Sequence, residues 1–235
     1  MLAKRVIPTV LVRGKTAFKG PGFGPACTRS VGSAVSVCRT HAMRGVDELV
    51  LFDIEATDQQ RVFDLGLVRQ LSDECFIPIT VGGGVRSLWD IDALLRAGAD
   101  KVAICTAARE KPEFIDQAAD RFGRQAIVVV IEHEMLSPGE SAIHQIPYSA
   151  GEVVLQSRDL EGTMAGYNLD FMRMVAAELD VPLIVSGGCS GPEDMLRAIK
   201  AGADGCAAGA LFQFTEITPR DCTEYLLANG VEVRA

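Results

Sequence analysis

No two cysteines of the chain form a C-x-x-C pair, and its three histidines are not paired at metal-ligand spacing. The seven cysteines (27, 38, 75, 105, 189, 206 and 222) are scattered instead. That excludes a disulfide frame or a zinc site and reads as reduced thiols in a cytoplasmic protein, with no metal or other cofactor expected. Basic runs are missing too, and the net charge of −8 argues against a nucleic-acid partner. An anionic small molecule stays open, because backbone N–H groups hold phosphate whatever the global charge. No apolar run approaches the roughly 20 residues of a membrane span. "MLAKRVIPTV" leads straight into a strand, so no signal peptide is expected. What is present is ordinary: 235 residues, 48% apolar and 23% charged, enough for one α/β domain over 1–235 with no covalent staple.

The chain is organised by a repeat. "IPITVGGGVRSLWDIDALLRAGADKVAICTAA" (77–108) returns as "VPLIVSGGCSGPEDMLRAIKAGADGCAAGALF" (181–212). Pro78 matches Pro182, Gly83 and Gly84 match Gly187 and Gly188, and Asp90 matches Asp194, all at one offset of 104 residues. A single internal duplication explains them. Each copy reads as a short apolar strand, a glycine turn, an amphipathic helix and a second strand. Further buried strands are expected at 5–12, 48–53, 127–132 and 152–157, with helices near 32–44, 61–74, 111–121, 168–179 and 219–229. Adding 78–81, 101–105, 182–186 and 205–208 gives eight strands alternating with helices. Eight strands with a half-barrel duplication predict a (β/α)₈ TIM-type barrel, with its site at the C-terminal strand ends. A doubly wound open sheet is the rival, but it does not predict the repeat.

Glycine turns follow one strand in each half, "VGGGV" (81–85) and "SGGCSG" (186–191). The next strand of each half ends in small residues, "ICTAA" (104–108) and "AAGAL" (207–211). Glycine lets backbone N–H groups approach an anion, so two phosphate sites across one barrel mouth are expected. Tight packing of small residues is the alternative.

These motifs, with "VDELVLFDIEAT", "DRFGRQAIVVV" and "EGTMAGYNLD", follow in order those of a known family. The chain resembles the cyclase subunit of imidazole glycerol phosphate synthase over nearly its whole length. The resemblance implies a (β/α)₈ barrel that binds a substrate with a phosphate at each end. It also implies a glutaminase partner on the opposite face, sending ammonia through the barrel to a ring closure run by two aspartates. Carried over by position, Gly84 and Thr106 match one phosphate site, and Gly162, Gly188 and Gly209 the other. Lys19 matches a loop lysine that closes over substrate, and Asp53 a further site residue. Arg5, Glu48, Lys101 and Glu152 match the charged ring where ammonia enters, and Asp100 a glutaminase contact. A purely structural ion-pair plug is the other reading of that ring.

The catalytic pair is altered. Leu11 stands where the first aspartate belongs, after "IP" on strand one. Glu132, which ends "AIVVVIE", stands where the second does. Glu161 and Cys105 replace a family aspartate and asparagine. One positioned carboxylate contributes about 10²–10⁴-fold, so the loss at Leu11 should impair a two-acid reaction. The pattern resembles the acetamidino-modification paralogues of surface-polysaccharide clusters. That resemblance implies ammonia-dependent amidine transfer to a phosphorylated or nucleotide-linked sugar, with Glu132 as acid/base. The orthodox cyclase of histidine biosynthesis and a non-catalytic barrel that activates a glutaminase remain alternatives. Residues 133–151, with Pro138, Gly139, Pro147 and Gly151, show no helical periodicity, so the helix between strands five and six is expected to be missing. A homo-oligomer over that gap is then plausible, and His133 and His144 become candidates for the mouth.

Overall fold

The computed structural model describes residues 3–22, 29–133 and 149–234. Strand β1 runs Arg5–Arg13, and β2 (Thr16–Lys19) and β3 (Arg29–Ser33) fold back on it as an antiparallel arm. Seven further strands follow: β4 (Leu49–Asp53), β5 (Ile79–Gly82), β6 (Lys101–Ile104), β7 (Ile127–Glu132), β8 (Glu152–Gln156), β9 (Leu183–Ser186) and β10 (Gly205–Ala208). Each pairs in parallel with the next, and β10 returns to β1 through Arg5↔Gly205 to Pro8↔Ala208. The result is a closed (β/α)₈ barrel.

Strand alternation sorts the apolar residues into two cores. Leu51, Val81, Val102, Val129, Leu155 and Val185 face outward into a shell shared with the helices. Ile7, Leu11, Val50, Phe52, Val128, Val154 and Ile184 fill the barrel interior. The shell is made by α1 (Ala34–Met43), α2 (Leu65–Glu74), α3 (Leu88–Arg96), α4 (Thr106–Glu110), α5 (Glu113–Phe122), α6 (Leu169–Ala176), α7 (Pro192–Lys200), α8 (Ala210–Phe214) and α9 (Pro219–Ala228).

Two helix expectations need correction at their starts. Residues 32 and 33 belong to β3, paired with Ala17 and Thr16, so α1 begins at Ala34. Residues 61–64 form a loop: Asp64 caps α2 by accepting the Leu67 N–H, and Arg61 is drawn into an ion pair with Asp53. The helix expected over 168–179 ends at Ala176. The connection at 133–151 falls mostly on 134–148, outside the described residues, as does His144.

The duplication extends to hydrogen bonds. Asp100 accepts the Ile79 N–H at 2.8 Å, and Asp204 accepts the Leu183 N–H at 3.1 Å. Asp90 accepts from Arg86 N, and Asp194 from Ser190 N. All four pairs keep the offset seen in the sequence.

His41 of α1 is buried at 2% exposure, edge-on to Phe212 of α8 and 3.3 Å from Gln213. Burial, then the nearby Arg44 and Lys19 cations, lowers its pKa to about 4. The folded protein therefore carries this histidine neutral, while the unfolded chain takes up a proton below about pH 6.5. Its stabilising contribution is complete above that pH and is lost as pH falls toward 4, by about 3 kcal/mol in all. His41→Leu should flatten urea-derived stability over this window. An unchanged slope would show that His41 does not carry it.

Candidate active site

The C-terminal mouth holds a cavity of about 410 Å³. Gly83 and Gly84 from the turn after β5, Cys105 and Thr106 after β6, Glu132 at the end of β7 and Gln156 at the end of β8 all line it. Gly84 has φ +67, and a Cβ there would lie 1.8 Å from the Arg61 carbonyl oxygen. Only glycine fits that turn. Arg86, Arg109 and Arg158 add positive charge to the wall, although sequence reading did not single them out. The signal for Arg109 was its place one turn after Thr106 on α4.

Glu132 is the last residue of β7, and its side chain is 11% exposed. It faces Arg158 at 3.5 Å. The half-buried Cys105 thiol is pushed up to about 12, first by burial and then by the Glu132 carboxylate. Cys105 is therefore a protonated neighbour at neutral pH. Asp53 also reaches the cavity, but its carboxylate is engaged. It accepts the Glu55 and Ala56 N–H groups and a two-pronged Arg61 pair at 2.5 and 3.1 Å. It shapes the loop wall. His133 turns the other way, its ring 4.7 Å from that of Phe171.

Leu11 is fully buried on the inner face of β1, in register with Phe18 of β2 and Phe52 of β4. It is packing material in an apolar layer. Across the mouth, Gly162, Gly188 and Gly209 surround a space of only about 10 Å³. Lys19 of β2, 1% exposed, reaches over Gly209 and pairs with Glu161 at 3.1 Å. Gln156 completes this group by donating to Glu161 at 3.4 Å.

At the N-terminal end, four residues from four strands or their leading turns meet. Arg5 donates to Glu48 at 2.9 Å and to Glu152 at 2.8 Å, and Lys101 donates to the same carboxylates at 3.1 and 3.2 Å. Burial works against the Arg5 charge, but Glu152 and Glu48 outweigh it and raise its pKa above the ordinary value. Asp100 sits on the rim beside Lys101 and is exposed. Between ring and mouth lies the apolar interior that includes Ile7, Val128, Val154 and Leu11.

Family comparison fits this geometry. Residues 5–218 match the model of a family described as "Histidine biosynthesis protein". The chain belongs to this family. Two curated relatives align along all of it. The "Putative imidazole glycerol phosphate synthase subunit hisF2" of Campylobacter jejuni is 36% identical over 249 residues, covering 100% of this chain and 99% of the relative. The "Imidazole glycerol phosphate synthase subunit HisF" of Dehalococcoides mccartyi is 38% identical over 252 residues, with the same coverage. Among the described residues, no helix is long and apolar enough to cross a membrane, and no group of three or more His, Cys, Asp or Glu is placed to hold a metal ion.

Proposed function

We propose that the protein is an ammonia-dependent synthase subunit that works with a glutaminase and acts on a phosphorylated or nucleotide-linked sugar. The observation that carries this reading is the closed ring of Arg5, Glu48, Lys101 and Glu152 beneath an apolar interior that opens at Glu132. Four charges taken out of water are costly unless paired, and a barrel needing only a plug could fill this layer with aliphatics. Ammonia is neutral and small, so an apolar interior suits its passage. The glutaminase would dock around the ring, with Asp100 at its edge. The relatives' names, as subunits of a synthase, support a partner. Gly84, Thr106 and Arg109 would bind the phosphate, and Lys19 and Glu161 would meet the other end of the sugar.

Glu132 is the acid/base of this reading. The cavity wall offers it no strand-one aspartate, because Leu11 packs against Phe18 and Phe52. A single carboxylate can take one proton from ammonia as its nitrogen attacks an activated carbon and return it to the oxygen leaving group as the C–O bond breaks, which is the balance of amidine formation. The orthodox cyclisation, favoured by the 38% identity to a HisF subunit, uses two acids in the family.

One experiment separates the readings. The protein is supplied with excess ammonium salt, once with the family's two-phosphate substrate and once with a panel of sugar phosphates and nucleotide sugars. Ammonium consumption is followed in each. The expected result is consumption only with the panel. Turnover of the two-phosphate substrate would establish the orthodox cyclase. Consumption with neither, together with stimulated glutamine hydrolysis by the added partner, would leave a glutaminase activator.

A further inference from the structure

The carboxylate of Glu132 has a cation beside it that sequence reading passed over. Arg158 stands in the loop after β8, two residues past Gln156, which is in register with Glu132. Its Nη1 approaches Glu132 Oε2 at 3.5 Å, and both residues line the large cavity of the mouth. The Arg158 side chain is 38% exposed, against 11% for Glu132. The pair at Asp53 is of another kind. Arg61 grips that carboxylate with two prongs, at 2.5 and 3.1 Å, and two backbone N–H groups complete it. A contact of 3.5 Å lies beyond the ordinary hydrogen-bond range, so Arg158 gains little from Glu132 in the resting protein. A cation weakly engaged at rest keeps its attraction for charge that develops only in the transition state.

The proton's route places that charge. As the nitrogen of ammonia bonds to the activated carbon, the electron pair of the C–O bond passes to the departing oxygen. Glu132 takes the proton from nitrogen and returns it to that oxygen, so the oxygen has to come within hydrogen-bond reach of Glu132. Leu11 supplies no second acid, and the oxygen is negative until the proton arrives. Arg158, already against the Glu132 carboxylate, is the cation next to that position. The other arginines of the wall stand toward the glycine turn: Arg86 donates to the Thr57 carbonyl at 2.9 Å, and Arg109 lies on α4 one turn from Thr106. Burial and then Glu132 push the Cys105 thiol up to about 12, so it offers no proton at neutral pH.

We propose that Arg158 is a second catalytic residue, whose guanidinium holds the negative charge of the departing oxygen beside Glu132. This rests on the reading of Glu132 as the acid/base of an ammonia-consuming site. An arginine gives up no proton in the working range, so its part is electrostatic and Glu132 keeps both proton transfers.

Ammonium-driven turnover of wild type, Arg158→Lys and Arg158→Ala tests this. The substrates are the panel of sugar phosphates and nucleotide sugars and the family's two-phosphate substrate. With whichever of them wild type consumes, Arg158→Ala should lower kcat by about 10²–10³-fold, the usual loss of one donor to a developing oxyanion. KM should stay within about threefold, since the interaction is made only in the transition state. Arg158→Lys should recover part of the loss, and guanidinium ion, at concentrations that leave Tm unchanged, should restore part of the Arg158→Ala rate without affecting wild type. A raised KM with unchanged kcat would make Arg158 a ligand-binding group and overturn the proposal. So would a loss that disappears at high pH, which would mean that Arg158 acts only by setting the protonation of Glu132. A loss with lowered Tm and no guanidinium rescue would show a structural role and overturn it as well. Turnover of the two-phosphate substrate alone would overturn the sugar reading, while the same variants still decide the part of Arg158. Consumption of none of the substrates by wild type would overturn both together.

Discussion

Glu132→Gln is expected to lower ammonium-driven turnover by about 10²–10⁴-fold, the usual contribution of one positioned acid/base. The size of the effect follows from what surrounds the residue. Glu132 shares the cavity wall with Asp53, whose carboxylate is taken up by Arg61 and two backbone N–H groups. The Cys105 thiol, at about 12, releases its proton too reluctantly to substitute at neutral pH. Leu11 has no proton to give. Glutamine keeps the shape and a hydrogen-bonding partner for Arg158, and that 3.5 Å pair is partly exposed, worth no more than about 1 kcal/mol. Tm should therefore fall by at most about 4 °C. A variant that folds as wild type and keeps full turnover would remove Glu132 from the mechanism.

Arg5→Met should destabilise the fold by about 3–5 kcal/mol, the cost typical of removing one partner from a buried ion pair. Arg5 alone touches both carboxylates from β1, and without it Lys101 must serve Glu48 and Glu152 together. Both glutamates are nearly fully buried, so water does not replace the lost donor. Thermal unfolding should show a Tm lower by roughly 6–20 °C for a chain of this length. Arg5→Lys should recover part of the loss, since it restores charge without the planar fork. If the reading of the ring as an ammonia gate holds, Arg5→Lys should also depress glutamine-driven turnover more than ammonium-driven turnover. Stability loss below 1 kcal/mol would show that the ring does not hold the barrel floor together.

The sequence carried most of the fold because its signals are local. Unbroken aliphatic runs such as 127–131 mark strands buried on both faces, and helical spacing marks the amphipathic faces between them. The constant offset of the duplication added the long-range order that single runs lack, and its repeated Asp100–Ile79 and Asp204–Leu183 bonds are that offset realised in space. The arm of β2 and β3 was not legible. "TAFK" and "RSVGS" are short and at most half apolar, and they are strands because they pair with each other and, through β2, with β1. The glycine turns pointed to anion sites, and Leu11 and Glu132 stood out by position. Arg86, Arg109 and Arg158 did not, because a surface arginine looks the same in sequence whether or not it faces a cavity.

The sequence by itself determined the eight-strand alternation, the duplication, the glycine positions and the leucine at position 11. Each is a matter of residue identity and near-neighbour spacing. Only the tertiary structure decided which charges meet. Arg5, Glu48, Lys101 and Glu152 are separated by 43 or more residues and become a ring through barrel closure. Lys19 and Glu161 lie 142 residues apart, and the arm folding over the mouth brings the ammonium onto Gly209. Coulomb energy and desolvation depend on distance and burial in space, and neither quantity is written along a chain.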